Sequence, residues 1–148
     1  EMGMSPVISR DNIEAVVLDS AALDIERTGK TKAPVAFSNW TFFQFSRAYF
    51  NKEHLINGTD EYAKQGNVIT HATENFPPAF ITDGNTGTFP DQAEDLADKL
   101  NSLGVANYLY LIDREKEVLG HVFMDTYSKY TVDYTKKKID FLTDILKE

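Results

Sequence analysis

No cysteine occurs among the 148 residues. That removes disulfides, thiolate metal sites and a cysteine nucleophile, and it fits a cytoplasmic protein. Basic charge is also scarce, with 15 Lys and Arg against 23 Asp and Glu, a net charge of -8. Nucleic acid and anionic membrane surfaces both call for a basic face, so neither is an expected partner. No apolar run approaches the ~20 residues that a membrane span needs, and none is expected. What the chain does have is enough apolar material, 42% hydrophobic and 12% aromatic, for one domain with a proper core. It opens Glu1-Met2-Gly3-Met4 rather than on an initiator Met, which reads as a trimmed or internal piece.

Periodicity points to an α/β chain in which strands alternate with helices. The run Ile13 to Leu18 is β-branched and aliphatic without alternation, the pattern of a strand buried on both faces of a parallel sheet. Asp19 to Val35 is polar and reads as a surface excursion. Ser38 can cap a helix reaching about Phe50, which carries Trp40, Phe42, Phe43, Phe45 and Tyr49, and whose aromatics cover more than one face. Asn57-Gly58 is a turn, and Thr59 to Gly66 a short capped helix, so about 34–66 forms an aromatic-rich helical excursion within a single unit spanning 1–148.

Pro77-Pro78 ends what precedes it and launches Ala79 to Thr82 as a second strand. A helix is expected from about Phe89 to Leu103, with Ala93, Leu96, Ala97, Leu100 and Leu103 on one stripe and Gly104 as its stop. Tyr108 to Ile112 forms the third strand. Met124 to Leu146 closes the chain as one long helix with Ile139, Leu142 and Ile145 facing inward. The β-α-β-α order implies a parallel sheet flanked by helices. Three such strands leave an edge bare, so a partner is expected to cover it.

In open parallel sheets, ligands gather at the carboxyl ends of the strands. His121, in Val118-Leu-Gly-His-Val-Phe123, lies between the third strand and the last helix, placed to act as a general base if a carboxylate fixes its tautomer. His54 and His71 lack such placement and read as structural or exposed. Taken in order, Asn75-Phe-Pro-Pro-Ala-Phe-Ile-Thr-Asp-Gly84, Gln92-Ala-Glu-Asp-Leu-Ala-Asp-Lys-Leu100, Tyr108-Leu-Tyr-Leu-Ile112 and the Gly120-His121 loop resemble the C-terminal half of an α/β-hydrolase of the esterase or lipase type. The resemblance implies a serine carboxylic-ester hydrolase without metal or organic cofactor, a small ester as substrate, and His121 as base.

The chain departs from that family in two places. The family's usual acid position, three residues after Gly84, holds Gly87. In pancreatic-type lipases the acid instead ends the preceding strand, in a run like Leu-Asp-Pro-Ala, which Leu18-Asp19-Ser20-Ala21 resembles; Asp19 therefore ranks first, with Asp24 and Asp83 behind it. No serine has the Gly-x-Ser-x-Gly flanks of a nucleophile elbow. Ser5 comes nearest, but Pro6 has no N–H to donate to an oxyanion hole. The nucleophile-bearing half is thus absent, the chain alone is expected to be inactive, and the missing half or an oligomer partner is expected to complete it.

Three rival readings stand beside this one, the broadest being an unrelated small α/β domain in which Gly120-His121 is accidental and the aromatic helix is merely core. Gly84-Asn-Thr-Gly-Thr88 lies between a strand and a helix N-terminus, as a phosphate cradle does, and its Thr-Gly-Thr resembles the flavin-phosphate loop of flavodoxins. That loop follows the first strand in flavodoxins, whereas here it falls past mid-chain. The other rival is a non-catalytic α/β-hydrolase relative used for binding, for which Gly87 is the telling residue.

Overall fold

The computed structural model describes residues 12–30, 44 and 64–147. The expected aromatic helix after Ser38 (Gln44 apart), His54, the Asn57-Gly58 turn, the start of the helix at Thr59, and Ser5 lie outside the described residues. Within them, β1 (Val16–Asp19) leads to the short helix α1 (Ile25–Lys30), and α2 (Val68–His71) precedes β2 (Ala79–Thr82). Next come α3 (Pro90–Ser102), β3 (Asn107–Tyr110), a 3-10 turn at Phe123–Asp125, and α4 (Lys129–Ile145). The strands form a parallel sheet in the order β1-β2-β3. The expected α/β architecture with a parallel sheet is therefore present.

β2 is the central strand and is buried at every position. Its alternate residues face opposite ways, as the pleat requires. Ala79 and Ile81 pack with Leu96, Ala97 and Leu100 of α3, while Phe80 packs with Tyr110, Phe123 and Tyr134 on the side that α4 covers. Helices on both faces explain why β2 carries no alternating polar residues. α3 starts on Pro90, whose missing N–H is one that a first turn leaves unpaired anyway, and stops at Gly104 in the left-handed region, φ +70°.

Three expectations need correction. The stretch after β1 is not a polar surface excursion throughout, because Leu23, Ile25 and Thr28 are buried. A buried Gln92 causes this: its Oε1 accepts from the backbone N–H groups of Leu23 (2.9 Å) and Asp24 (2.8 Å), and its Nε2 donates to Thr28 Oγ1. One polar side chain from α3 thereby replaces the water this backbone otherwise needs. The strands are also shifted: β1 runs Val16–Asp19 rather than Ile13 to Leu18, and β3 begins at Asn107 and ends at Tyr110.

The last helix differs most. It begins at Lys129, because Thr126 is extended and Ser128 caps the first turn by accepting from Thr131 N–H at 3.1 Å. Its inward residue is Tyr134, joined by Tyr130 and Phe141, while Ile139 is 56% exposed and Leu142 and Ile145 are only half-buried. The sheet face here is lined by Phe80, Tyr108 and Tyr110, and the ring contacts of Phe80 with Tyr134 (5.8 Å) and Phe141 (6.0 Å) favour aromatic partners. Periodicity finds an apolar stripe, but which of two stripes faces the sheet is decided by the shape of what it meets.

This burial pattern separates two helix substitutions. Leu96→Ala is expected to cost about 2–5 kcal/mol in urea unfolding, the range for a fully buried leucine, whereas Ile139→Ser changes stability by less than about 0.5 kcal/mol.

Candidate functional site

The parallel register aligns Asp19, Thr82 and Tyr110 across the carboxyl ends of the strands. One residue further along β1 and β2 stand Ser20 and Asp83, with Ser20 N–H bonded to Thr82 O at 2.9 Å. The loop after β3 returns over this end of the sheet and delivers His121. Its Nδ1 lies 3.6 Å from Asp83 Oδ1 and 3.2 Å from Thr88 Oγ1, and its ring meets Phe89 edge-on at 5.7 Å. The imidazole is 39% exposed, whereas the Asp83 side chain is 1% exposed. A shallow cleft of about 330 Å³ opens beside it, bordered by Gly120, Val122, Phe123 and Asp125.

A buried carboxylate stays ionised only if donors replace its water. Asp83 accepts from the N–H groups of Gly84 and Phe89, both at 2.7 Å. Phe89 is the residue just before α3, so the carboxylate also sits at the positive end of a 13-residue helix. Burial pushes the Asp83 carboxyl up, but the neighbouring His121, Thr88 and Ser20 side chains and the hydrogen bond from the Phe89 amide together pull harder, and the net direction is down. The ring beside it thus faces a fixed negative charge.

Of the three candidate acids, the structure brings only Asp83 to His121. Asp19 turns to the other face, where its Oδ2 accepts from Tyr134 O–H at 2.5 Å and lies 3.6 Å from Lys138 Nζ. Lys138 in turn donates to the Tyr134 oxygen. Burial first, then the hydrogen bond and charge of Asp19, raise the Tyr134 phenol above its ordinary value, so it stays protonated and donates. Asp24 caps α1, accepting from Arg27 N–H at 3.0 Å, and its second oxygen accepts from Asn67 Nδ2 at 2.8 Å. His71 is exposed, with Nε2 3.0 Å from Lys64 O.

Sequence reasoning missed the residues that hold the histidine loop in place. Asn85 donates through Nδ2 to Ile112 O and Glu117 O, at 2.9 and 2.8 Å, and accepts through Oδ1 from Leu119 N–H at 2.8 Å. The backbone N–H groups of Asn85 and Thr86 both donate to Leu119 O. Gly84 is required by contact: a Cβ there would lie 2.2 Å from Gly120 O. The same bonds bear on the flavin-phosphate reading. The amides of Gly84, Asn85 and Thr86 are already committed within the protein, and the Asp83 carboxylate sits where an anion at the start of α3 belongs. Thr88 could have been noticed in the Thr-Gly-Thr run, but its place beside His121 depends on a contact 33 residues apart in the chain.

Among the described residues, no group of three or more His, Asp or Glu side chains is placed to hold a metal ion, and no helix is long and apolar enough to cross a membrane. Comparison of the chain with models of known families, with curated proteins and with solved structures finds no match.

The site yields two expectations. Gly84→Ala must push the histidine loop away and is expected to lower unfolding free energy by about 1–3 kcal/mol, the usual cost of forced overpacking, measured by urea titration. For pH, the sign follows from Asp83's depressed value. Its contribution is fully present above the ordinary carboxyl value of 3.8 and is lost as pH falls through the lower, folded value. Unfolding free energy measured from pH 7 down to 2 is expected to fall more steeply at the acid end in the wild type than in Asp83→Asn.

Proposed function

We propose that this chain supplies the general base and its orienting acid to a serine carboxylic-ester hydrolase of the α/β-hydrolase type, with His121 as base and Asp83 as acid. The observation that carries the reading is the pairing of a partly exposed imidazole with a buried carboxylate at the carboxyl end of a parallel sheet. With Nδ1 carrying its hydrogen toward Thr88 and Asp83, Nε2 is left as the basic nitrogen. It takes the proton from a serine hydroxyl as that oxygen attacks the ester carbonyl, and returns it to the departing alkoxide. The Asp83 charge stabilises the imidazolium formed between those steps, and Thr88 Oγ1 accepts from Nδ1.

Asp83 lies one residue before the family's glycine rather than three after it, which accounts for Gly87 at the usual acid position. The serine and the oxyanion donors come from another polypeptide segment, since no Gly-x-Ser-x-Gly occurs in the 148 residues.

The test is p-nitrophenyl acetate turnover by the product of the complete reading frame, compared with three variants. His121→Ala is expected to lower kcat/KM by about 10³-fold or more and Asp83→Asn by ~10²–10⁴-fold, the order seen when a triad acid loses its charge. Asp19→Asn is expected to cost less than about tenfold, because its partners are Tyr134 and Lys138. Equal loss in Asp19→Asn and none in Asp83→Asn would reassign the acid. No turnover by a folded wild type leaves a binding protein on a hydrolase-like scaffold.

A further inference from the structure

Only two non-glycine residues among those described have a positive φ, Ser20 and Val122, both at 53°. The left-handed region is uncommon for serine and a real outlier for a β-branched residue such as valine, so each is held there by its surroundings. They lie 102 positions apart in sequence, yet they touch. Val122 N–H donates to Ser20 Oγ at 3.1 Å. Val122 directly follows His121, and the bond of Ser20 N–H to Thr82 O at 2.9 Å sets Ser20 beside the strand end that carries Asp83.

We propose that Ser20 is a positioning residue for the His121–Asp83 pair, its hydroxyl holding the backbone amide that follows the base at the strand end next to the acid. The left-handed turn at Ser20, one residue past the end of β1, leaves its Oγ in reach of the histidine loop. That at Val122 aims its amide back at the same oxygen while the His121 ring faces the carboxylate. At 8% exposure Ser20 is nearly closed to substrate, and its Oγ is already engaged by the Val122 amide, so it acts through the His121 loop and not as the attacking serine. This inference rests on the reading of His121 and Asp83 as base and acid, but its test does not require turnover.

The test uses the 148-residue chain labelled with ¹⁵N in the imidazole rings and read by NMR above the histidine titration, where each ring's shifts report which nitrogen carries the hydrogen. The chain has three histidines, and exposed His71 is the internal control. Wild-type His121 is expected in the Nδ1–H form. Ser20→Gly removes the hydroxyl but tolerates the left-handed backbone better than serine, so it separates the hydrogen bond from the strain. It is expected to shift the His121 tautomer ratio toward Nε2–H about fivefold, the factor for about one net hydrogen bond. His71 does not move.

An unchanged ratio in folded Ser20→Gly overturns the role of Ser20 and leaves the base reading standing. A wild-type His121 found as Nε2–H overturns both. If Ser20→Gly does not fold, amide exchange at Val122 in the wild type decides. The residue is 42% exposed, so slow exchange of its N–H supports the bond to Ser20 and rapid exchange overturns it.

Discussion

The carboxylate of Asp83 is the constraint on which this end of the molecule depends. It is buried at the end of the central strand and fixed by the amides of Gly84 and Phe89, so one side chain connects β2, the first turn of α3 and the loop after β3. An ion removed from water needs such a set of donors, because truncating a partner leaves a charge with neither solvent nor counter-charge. The geometry of the loop around it follows. Gly84 allows the His121 loop to lie against the strand end, and Asn85 clamps that loop at three backbone groups.

The two faces of the sheet divide the work. One is aliphatic, with α3 packing Leu96, Ala97 and Leu100 against Ala79 and Ile81. The other is aromatic, with Tyr134 in edge contact with Phe80, Tyr110 and Phe123. Asp19 belongs to the second face through Tyr134 and Lys138, and this fastens α4 to β1. Two acids at neighbouring strand ends thus have different partners: Asp83 meets a titratable imidazole with an exposed edge, and Asp19 meets a buried phenol and a lysine.

Much of this was legible beforehand where local chemistry alone decides. Pro77-Pro78 announced β2, whose bounds Ala79–Thr82 fall where the apolar run lies. Apolar spacing and the Gly104 stop gave α3 to within a residue at each end. The α4 stripe was misplaced because two apolar faces compete along the same helix, and Ile139 lost to Tyr134 once the partner surface was aromatic. The stretch after Asp19 looked solvent-facing because its buried acceptor, Gln92, lies about 70 positions away.

From residue types and their order alone came the α/β class, the parallel sheet, the core stripe of α3 and the choice of His121 as the residue to watch. These depend on periodicity, turn chemistry and the rule that parallel strands end where ligands gather. Only the tertiary structure decided which carboxylate His121 meets. Asp19, Asp24 and Asp83 are chemically equivalent side chains near strand ends, and the direction in which each points is set by pleat, register and the packing of distant partners. The Ser20–Val122 contact was out of reach for the same reason, since left-handed backbone at a serine and a valine contradicts local preference and persists only where the surrounding fold holds it.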